Sequence, residues 1–297
     1  MAGYALLVLA GLPLAAVAVV LLQHLHYLHV RRRAAQDRQP LLYGKSAFHV
    51  VIFFQVRVGM DVIESMRRFK GNTAGLGVWI YAGKVVVNVP SAQIGPVEWS
   101  AVALVQYPSR KAYETEAASG AYASALADFE RWYAQGARRD HVVNLMLPQA
   151  LLLKKIARAV TFTKSAYPFT LADPVKLPAR GIEMMRRLRA EGTLGARAAV
   201  VVNLVKRGSA AQDKSDSRYV GAMQDLMAER GYGPLHLAKA EALPGNFDFD
   251  NVAIVYYPGT NYFADMFGST FYQEILPNKQ LGDNQSTITV PILDLLN

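Results

Sequence analysis

The chain has 297 residues, of which 52% are hydrophobic and 19% charged, and it carries 32 Lys and Arg against 23 Asp and Glu. This composition excludes disorder as the dominant state, and the length allows two ordinary domains. Because the chain has no cysteine, disulfides, thiolate zinc sites, iron–sulfur clusters and cysteine nucleophiles are all excluded.

The N-terminal segment, residues 1–30, contains no Asp, Glu, Lys or Arg, and residues 4–22 form a nearly unbroken run of Ala, Leu and Val. At about 1.5 Å per residue this run spans roughly 28 Å, close to the thickness of the hydrocarbon core of a bilayer. It predicts a transmembrane helix. A secretory signal peptide is the alternative, because Ala16, Val17 and Ala18 match a small-residue cleavage pattern, but the basic region that should precede it is missing.

Charge asymmetry predicts the orientation of this helix. A basic juxtamembrane segment, residues 31–46, follows it, and no basic residue precedes it. By the positive-inside rule we expect a single-pass protein of the bacterial inner membrane, with its N-terminus outside and the bulk of the chain in the cytoplasm. His24, His26 and His29 at the helix exit are weak candidates for metal ligands, the alternative being an interfacial stretch at headgroup level.

An internal repeat is the clearest pattern in the chain. At an offset of 150 residues, segment 102–108 matches 252–258, segment 50–52 matches 200–202, and Arg57 matches Arg207. The repeat predicts a tandem duplication, with domain 1 at 47–139, a basic helical linker at 140–196, and domain 2 with a C-terminal extension at 197–297. A shift to offset 156 at the Gly-x-Gly pairs indicates an insertion around 209–217, ahead of the first helix of the second copy.

Each copy shows the element order β-α-β-β-α. In the first copy the apolar runs at 48–57, 78–89 and 100–106 predict strands, and Ser109 is a good N-cap for a helix. A second helix is expected where Tyr122, Leu126, Phe129 and Tyr133 recur at helical spacing. The predicted fold class is α+β, an N-terminal transmembrane helix followed by two tandem ferredoxin-like (split β-α-β) domains.

One motif carries a family resemblance. After a predicted strand, Tyr107-Pro-Ser109 is followed by Ser119 and Tyr122. This pattern resembles small domains of the dimeric α+β barrel superfamily, which also contains antibiotic-biosynthesis monooxygenases and EthD-like proteins. The motif is a structural turn and implies a fold more than an activity. In that superfamily two domains pair their sheets, so the resemblance implies that the two copies pair as an intramolecular α+β barrel.

The basic charge is local. Residues 141–197 contain ten basic and three acidic residues in a Leu-rich context. Such a segment favours contact with anionic lipid headgroups or with a protein partner, and the alternative is a solvated connector. Nucleic acid is not expected, because the two copies are near neutral. The residues predicted to form the partner or membrane surface are Arg31, Arg32, Arg33, Lys154, Lys155, Arg158, Arg186, Arg187 and Arg189.

No familiar catalytic signature is present, and we expect no cofactor. The weak catalytic candidates are His49, Arg57, Arg207 and His236. The sequence therefore favours a non-catalytic accessory or scaffolding subunit, docked on an integral membrane protein complex of an energy-transducing, respiratory or photosynthetic kind. We do not expect the chain to be an enzyme. The alternative is a membrane-tethered enzyme or binder of an apolar small molecule, such as a quinone, an aromatic or a polyketide-like compound, in a barrel pocket.

Overall fold

The computed structural model describes residues 2–40, 43–73, 75–245 and 247–297, and side chains from residue 14 onwards except that of Lys176. Its centre is one closed antiparallel barrel with the strand order β1-β3-β2-β8-β5-β7-β6-β4, in which β4 pairs back to β1. The strands are β1 (Phe48–Val56), β2 (Val78–Val89), β3 (Ala101–Tyr107), β4 (Phe129–Arg139), β5 (Ala199–Lys206), β6 (Pro234–Glu241), β7 (Asn251–Tyr257) and β8 (Asp283–Pro291).

The barrel consists of two four-stranded sheets with matching internal order. In the first half the order is β4-β1-β3-β2, and in the second half it is β8-β5-β7-β6. The pairs β2–β8 and β4–β6 join the two sheets. The molecule is therefore an α+β protein with a closed eight-stranded barrel, as the resemblance implies, and one apolar N-terminal helix.

Helices cover the outer faces of both sheets. The N-terminal helix is α1 (Ala2–Ala35), and the segment between the halves contributes α5 (His141–Val160), α6 (Ala179–Arg189) and the short α7 (Gly192–Gly195). The first half carries α2 (Val62–Asn72), α3 (Arg110–Ala117) and α4 (Gly120–Ala125), and the second half carries α8 (Ala210–Arg230), α9 (Thr260–Phe267) and α10 (Thr270–Ile275).

The offset of 150 residues holds for β3 and β7, for α3 and α9, and for α4 and α10. Ser109, Ser119 and Ser269 each accept a hydrogen bond from a backbone N–H three residues later, which explains the serines of the motif as N-caps. Helix α8 has 21 residues where α2 has 11, and Ser209 is its N-cap, so the inserted residues lengthen the helix and do not precede it as predicted.

The first strands depart from this offset by one residue. Val50 lies opposite Val105 on β3, whereas the residue opposite Val255 on β7 is Val201, not Val200. Because side chains alternate between the faces of a sheet, this shift decides which residues face the helices and which face the barrel interior. The predicted equivalence of Arg57 and Arg207 is therefore wrong by one position.

The prediction of a helix through Phe129 and Tyr133 is wrong. Helix α4 ends at Ala125, one 3₁₀ turn follows, and Phe129–Arg139 forms β4 between β1 and β6. The segment contains no β-branched residue, and its strand-favouring aromatic residues Phe129 and Tyr133 also fit helical spacing, so the local signal is ambiguous. The pairing along β1 and β6 overrides the local pattern. In the second half, the predicted C-terminal extension contains β8, which pairs with β2 and β5.

Helix α1 is continuous for 34 residues, and its C-terminal part packs on the protein. Tyr27 is buried and its hydroxyl donates to the Pro234 carbonyl at 3.2 Å, while the Gln149 side chain donates to the Val20 carbonyl at 3.1 Å. Leu14–Ala35 is long and apolar enough to cross a membrane, a test that a buried helix or a signal sequence also passes. Most of the predicted span at 4–22 lies where side chains are not described.

Candidate functional site

In the first half, aromatic side chains fill the space between the sheet and its helices. The ring centroids of Phe54 and Phe69 are 4.8 Å apart, those of Phe54 and Phe129 are 4.5 Å apart, and those of Phe69 and Tyr122 are 5.5 Å apart. Phe54, Phe69 and Phe129 are almost completely buried. This layer is a close-packed core.

The corresponding layer of the second half contains a cavity of about 300 Å³. The strand registers place Val205 where the first half has Phe54, and Asn203 where it has Ile52. Lys279, which follows the 3₁₀ turn after α10, stands where the first half has Phe129. Smaller or polar side chains at these three positions leave the space open.

The walls of the cavity are mainly apolar and rich in methionine. Met223 and Met227 come from α8, Met266 from α9 and Met184 from α6. Methionine is flexible and polarisable, so such walls adapt to ligands of different shape. Met184 lies in the segment that connects the two halves, so this segment also forms part of the cavity wall.

One end of the cavity is polar. It is lined by Asp216, Tyr219, Lys279 and Asn284, and the Lys279 Nζ lies 5.8 Å from the ring centroid of Tyr219. Burial lowers the pKa of Lys279, with the Asp216 charge acting in the opposite direction. Burial likewise raises the pKa of Asp216, against the effect of Lys279. The Oδ1 of Asn284 is buried without a hydrogen-bond partner. This end is suited to hold a polar substituent of an otherwise apolar ligand.

These residues do not fit a metal ion or a peroxidase-type haem, whose iron takes a histidine ligand. None of the six histidines lines the cavity. Within the described ranges, no group of three or more His, Cys, Asp and Glu residues could hold a metal ion. The chemistry of this cavity is therefore derived from its lysine, carboxyl and hydroxyl groups.

The weak catalytic candidates lie outside the cavity. His49 and His236, 187 positions apart in the sequence, meet inside one end of the barrel with ring centroids 4.8 Å apart, and neither is exposed. Burial lowers the pKa of His49 to about 3 and that of His236 well below its usual value, so both rings are neutral. Arg57 and Arg207 are exposed; the Arg57 Nε donates to the Ala127 carbonyl at 2.8 Å.

The three histidines of α1 are not brought together. His24 is buried, whereas His26 and His29 are exposed on a shallow groove beside Arg33. The weak metal candidates therefore form no cluster of ligands in the described part of the chain.

The predicted basic surface is largely paired within the chain. Arg31 is buried, with its Nε donating to the Asp37 carboxylate at 2.8 Å, so it is wrong as a surface residue. Five of the others form ion pairs: Lys154 with Asp225 at 2.7 Å, Arg158 with Glu229 at 3.3 Å, Arg189 with Asp265 at 2.7 Å, and both Arg186 and Arg187 with Glu183. Arg32, Arg33 and Lys155 are exposed.

Asp216, Tyr219, Lys279 and Asn284 are not among the site residues predicted from the sequence. A signal for Lys279 was present, because the offset of 150 places a lysine opposite the aromatic Phe129. An exchange of an aromatic residue for a charged one at a repeat position identifies a place where the two copies differ in their packing.

No family model and no curated protein matches the chain. Among solved structures it is similar to a chlorite dismutase variant from Candidatus Nitrospira defluvii (10% identity, covering 87% of this chain and 97% of that one, TM-score 0.46). It is also similar to an anthrone oxidase-like protein (9%, 83% and 91%, 0.45) and to a dye-decolorizing protein from V. cholerae (13%, 86% and 97%, 0.44). At these identities the similarity concerns the fold.

The prediction of a non-catalytic accessory subunit, and with it the expectation of no enzyme, is contradicted. The similar structures carry the names of enzymes, and others among them are assigned as monooxygenases. Six of the nine residues expected on the docking surface form ion pairs within the molecule.

Proposed function

We propose that the chain is an enzyme that binds an apolar small molecule of two or three fused rings in the second-half cavity and removes a proton from it. The observation that carries the proposal is Lys279, a lysine at the end of an apolar cavity where the first half has Phe129. A cavity of about 300 Å³ lies at the lower end of the range for small-molecule sites.

The chemistry follows from the lysine. Because burial lowers the pKa of Lys279, its amine is a better proton acceptor at neutral pH than an exposed lysine. With an enolisable ketone, the C–H bond breaks, its electron pair moves to the carbonyl oxygen, and the proton goes to Nζ. The enolate and the ammonium then form a charge-assisted hydrogen bond in an apolar surrounding. A phenol gives up its O–H proton in the same way.

The test compares 2-naphthol with naphthalene, which differ only in the hydroxyl group. We expect the chain to bind 2-naphthol at least tenfold more tightly, and Lys279→Met to remove this preference while still binding naphthalene. Lys214→Met, which removes an exposed lysine from α8, is the matched control. For turnover, the exchange of the anthrone methylene hydrogens with deuterium should be faster with the wild type than with Lys279→Met. Equal rates would contradict the enzyme proposal.

We propose in addition that α1 anchors the chain in a membrane, with α5 beside it at the headgroup boundary. Leu14, Val17 and Leu22 of α1 are exposed, and α5 carries an exposed apolar face. That face consists of Val142, Leu145, Met146, Leu153, Ile156 and Val160, which lie on one side of the helix. The bond from Gln149 to Val20 holds α5 against the end of the predicted span. Active cytoplasmic reporters fused at Asn297 would support this topology, and activity only on the other side would contradict it.

We infer, finally, that the two halves are tandem ferredoxin-like units derived from one ancestor. Their matching strand orders and the shared offset of 150 residues support this inference. Superposition of an experimental structure of each half would test it.

A further inference from the structure

A second group of polar side chains, all but one of them buried, lies at one end of the barrel, away from the cavity. It comprises Gln39, Tyr43, His49, Arg139 and His236, and we call it the mouth cluster. The rings of Tyr43 and His49 are 5.4 Å apart, those of His49 and His236 are 4.8 Å apart, and the Arg139 guanidinium lies 5.9 Å from the Tyr43 ring. The His236 ring contacts the Gln39 amide at 3.5 Å.

Each member of the mouth cluster has a buried polar atom without a hydrogen-bond partner. These atoms are the Gln39 Nε2, Tyr43 hydroxyl, His49 Nδ1, Arg139 Nε and His236 Nε2. Gln39, His49 and His236 are at most 1% exposed, and Arg139 is 9% exposed. Buried polar groups are nearly always paired, because an unpaired one has lost its hydrogen bonds to water without replacing them. Five such atoms in one place point to a binding site for a polar ligand.

The charges at this place are not balanced. Two guanidinium groups, those of Arg31 and Arg139, are buried here with one carboxylate, that of Asp37. Asp37 is already paired with Arg31. The nearby Asp140 is exposed and caps α5, accepting a hydrogen bond from the Val143 N–H. One buried positive charge, that of Arg139, therefore lacks a counterion, which favours an anion and disfavours a metal cation.

The unpaired atoms also specify hydrogen-bond roles. Arg139 Nε, Tyr43 and Gln39 Nε2 are donors. The His49 Nε2 donates to the Gln106 Oε1 at 3.2 Å, and the His236 Nδ1 donates to the Gln39 Oε1. In a neutral imidazole the other nitrogen is then an acceptor. The site thus offers three donors and two acceptors, so it suits an anion that still carries a hydrogen.

We propose that the mouth cluster binds a small monoanionic oxyanion that retains at least one hydrogen, of which hydrogencarbonate and dihydrogenphosphate are the simplest examples. The anion balances the charge of Arg139, its oxygens accept from Arg139, Tyr43 and Gln39, and its hydrogen donates to His49 or His236. Gln39 and Tyr43 lie in the segment between α1 and β1, so the anion also connects that segment to the barrel.

The test is thermal unfolding of the full chain in detergent, titrated separately with hydrogencarbonate and with phosphate at constant ionic strength. We expect a saturable rise in Tm that follows the ligand concentration, and a smaller response to chloride and nitrate, which carry no hydrogen. The oxyanion with the lower Kd is the better ligand. No saturable response to either oxyanion, or an equal response to chloride and nitrate, overturns the proposal.

Two variants locate the site. Arg139→Gln should abolish the response, whereas Arg138→Gln should leave it intact; Arg138 is the exposed neighbour on β4, paired with Glu241, and its loss changes the net charge equally. Tyr43→Phe removes one hydroxyl and should raise the Kd about tenfold. If Arg139→Gln does not fold, Tyr43→Phe decides, because an unchanged Kd in that variant overturns the proposal.

Discussion

The two halves of the barrel share one strand order, yet one is filled and the other is hollow. In the first half Phe54, Phe69 and Phe129 close the space between sheet and helices. In the second half Val205 and Lys279 stand at two of the equivalent positions, and a cavity remains. The comparison indicates how one scaffold can serve two purposes: one half provides a close-packed core, and the other gives up packing for the space in which we propose that a ligand binds.

The largest expected effect tests this difference in packing between the two halves directly. Phe69→Ala in the filled half should lower the free energy of unfolding by about 3–5 kcal/mol, because it leaves a void in a close-packed layer. Met227→Ala at the cavity should cost less than about 2 kcal/mol, because its surroundings are already open. Urea denaturation measures both values. A larger loss for Met227→Ala would mean that the second half is also a close-packed core.

Placing phenylalanine, the residue of the first half, at position 279 tests the same difference by filling the second half. Lys279→Phe should raise the free energy of unfolding by about 1–2 kcal/mol, because it replaces a partly buried amine by apolar surface that fills part of the cavity. The same variant should lose binding of 2-naphthol. If it is less stable than the wild type and still binds, the lysine has a structural role and the cavity is not its site of action.

The pH dependence of stability sharpens the role of Lys279. Its pKa is lowered in the folded chain from 10.5, so the protonated amine destabilises the fold at neutral pH, and this cost disappears as the pH rises through the folded pKa towards 10.5. The stability advantage of Lys279→Met over the wild type should therefore shrink between pH 7 and pH 10.5. Lys214→Met should show no such trend in urea midpoints; a constant difference for Lys279→Met would contradict the lowered pKa.

The smallest effect concerns the basic residues of α5. Replacing Lys154 and Arg158 by Gln removes two ion pairs with α8, each partly exposed. Such pairs contribute roughly 0.2–1 kcal/mol and are screened by salt. The double variant should lose about 1 kcal/mol at low salt and less at 1 M NaCl, as measured by urea denaturation. If the free energy of unfolding does not change at either salt concentration, the two ion pairs do not stabilise the fold, and the side chains of these residues are available for contact with a membrane.

Local signals in the sequence predicted much of the fold. A few adjacent residues or one fixed offset are enough to predict the repeat, the strands β1 and β3, and the N-caps Ser109 and Ser119. By contrast, β4 was assigned to a helix, since its aromatic residues also fit helical spacing and only its neighbours β1 and β6 make it a strand. Side chains that pack across the barrel cannot be assigned from one segment alone.

The candidate sites depend on contacts over long distances in the sequence, and for that reason they were mostly missed. The meeting of His49 with His236 requires the barrel to close through β4 and β6. The cavity depends on the one-residue shift between β1 and β5, which turns Asn203 and Val205 towards the helices. No pattern within either strand records that shift, because both strands are mostly apolar on both faces and do not alternate between apolar and polar residues.

The position of β8 at the end of the sequence and between the two sheets determines when the barrel can close during synthesis. This strand lies between β2 and β5, and without it the two sheets meet only through β4 and β6. Residues 283–291 are made after every other strand, whereas α1 is made first. The nascent chain therefore engages its surroundings through α1 while its sheets still have open edges, which are prone to pairing with other chains. Until β8 is made, the edges of β2 and β5 that it covers stay unpaired.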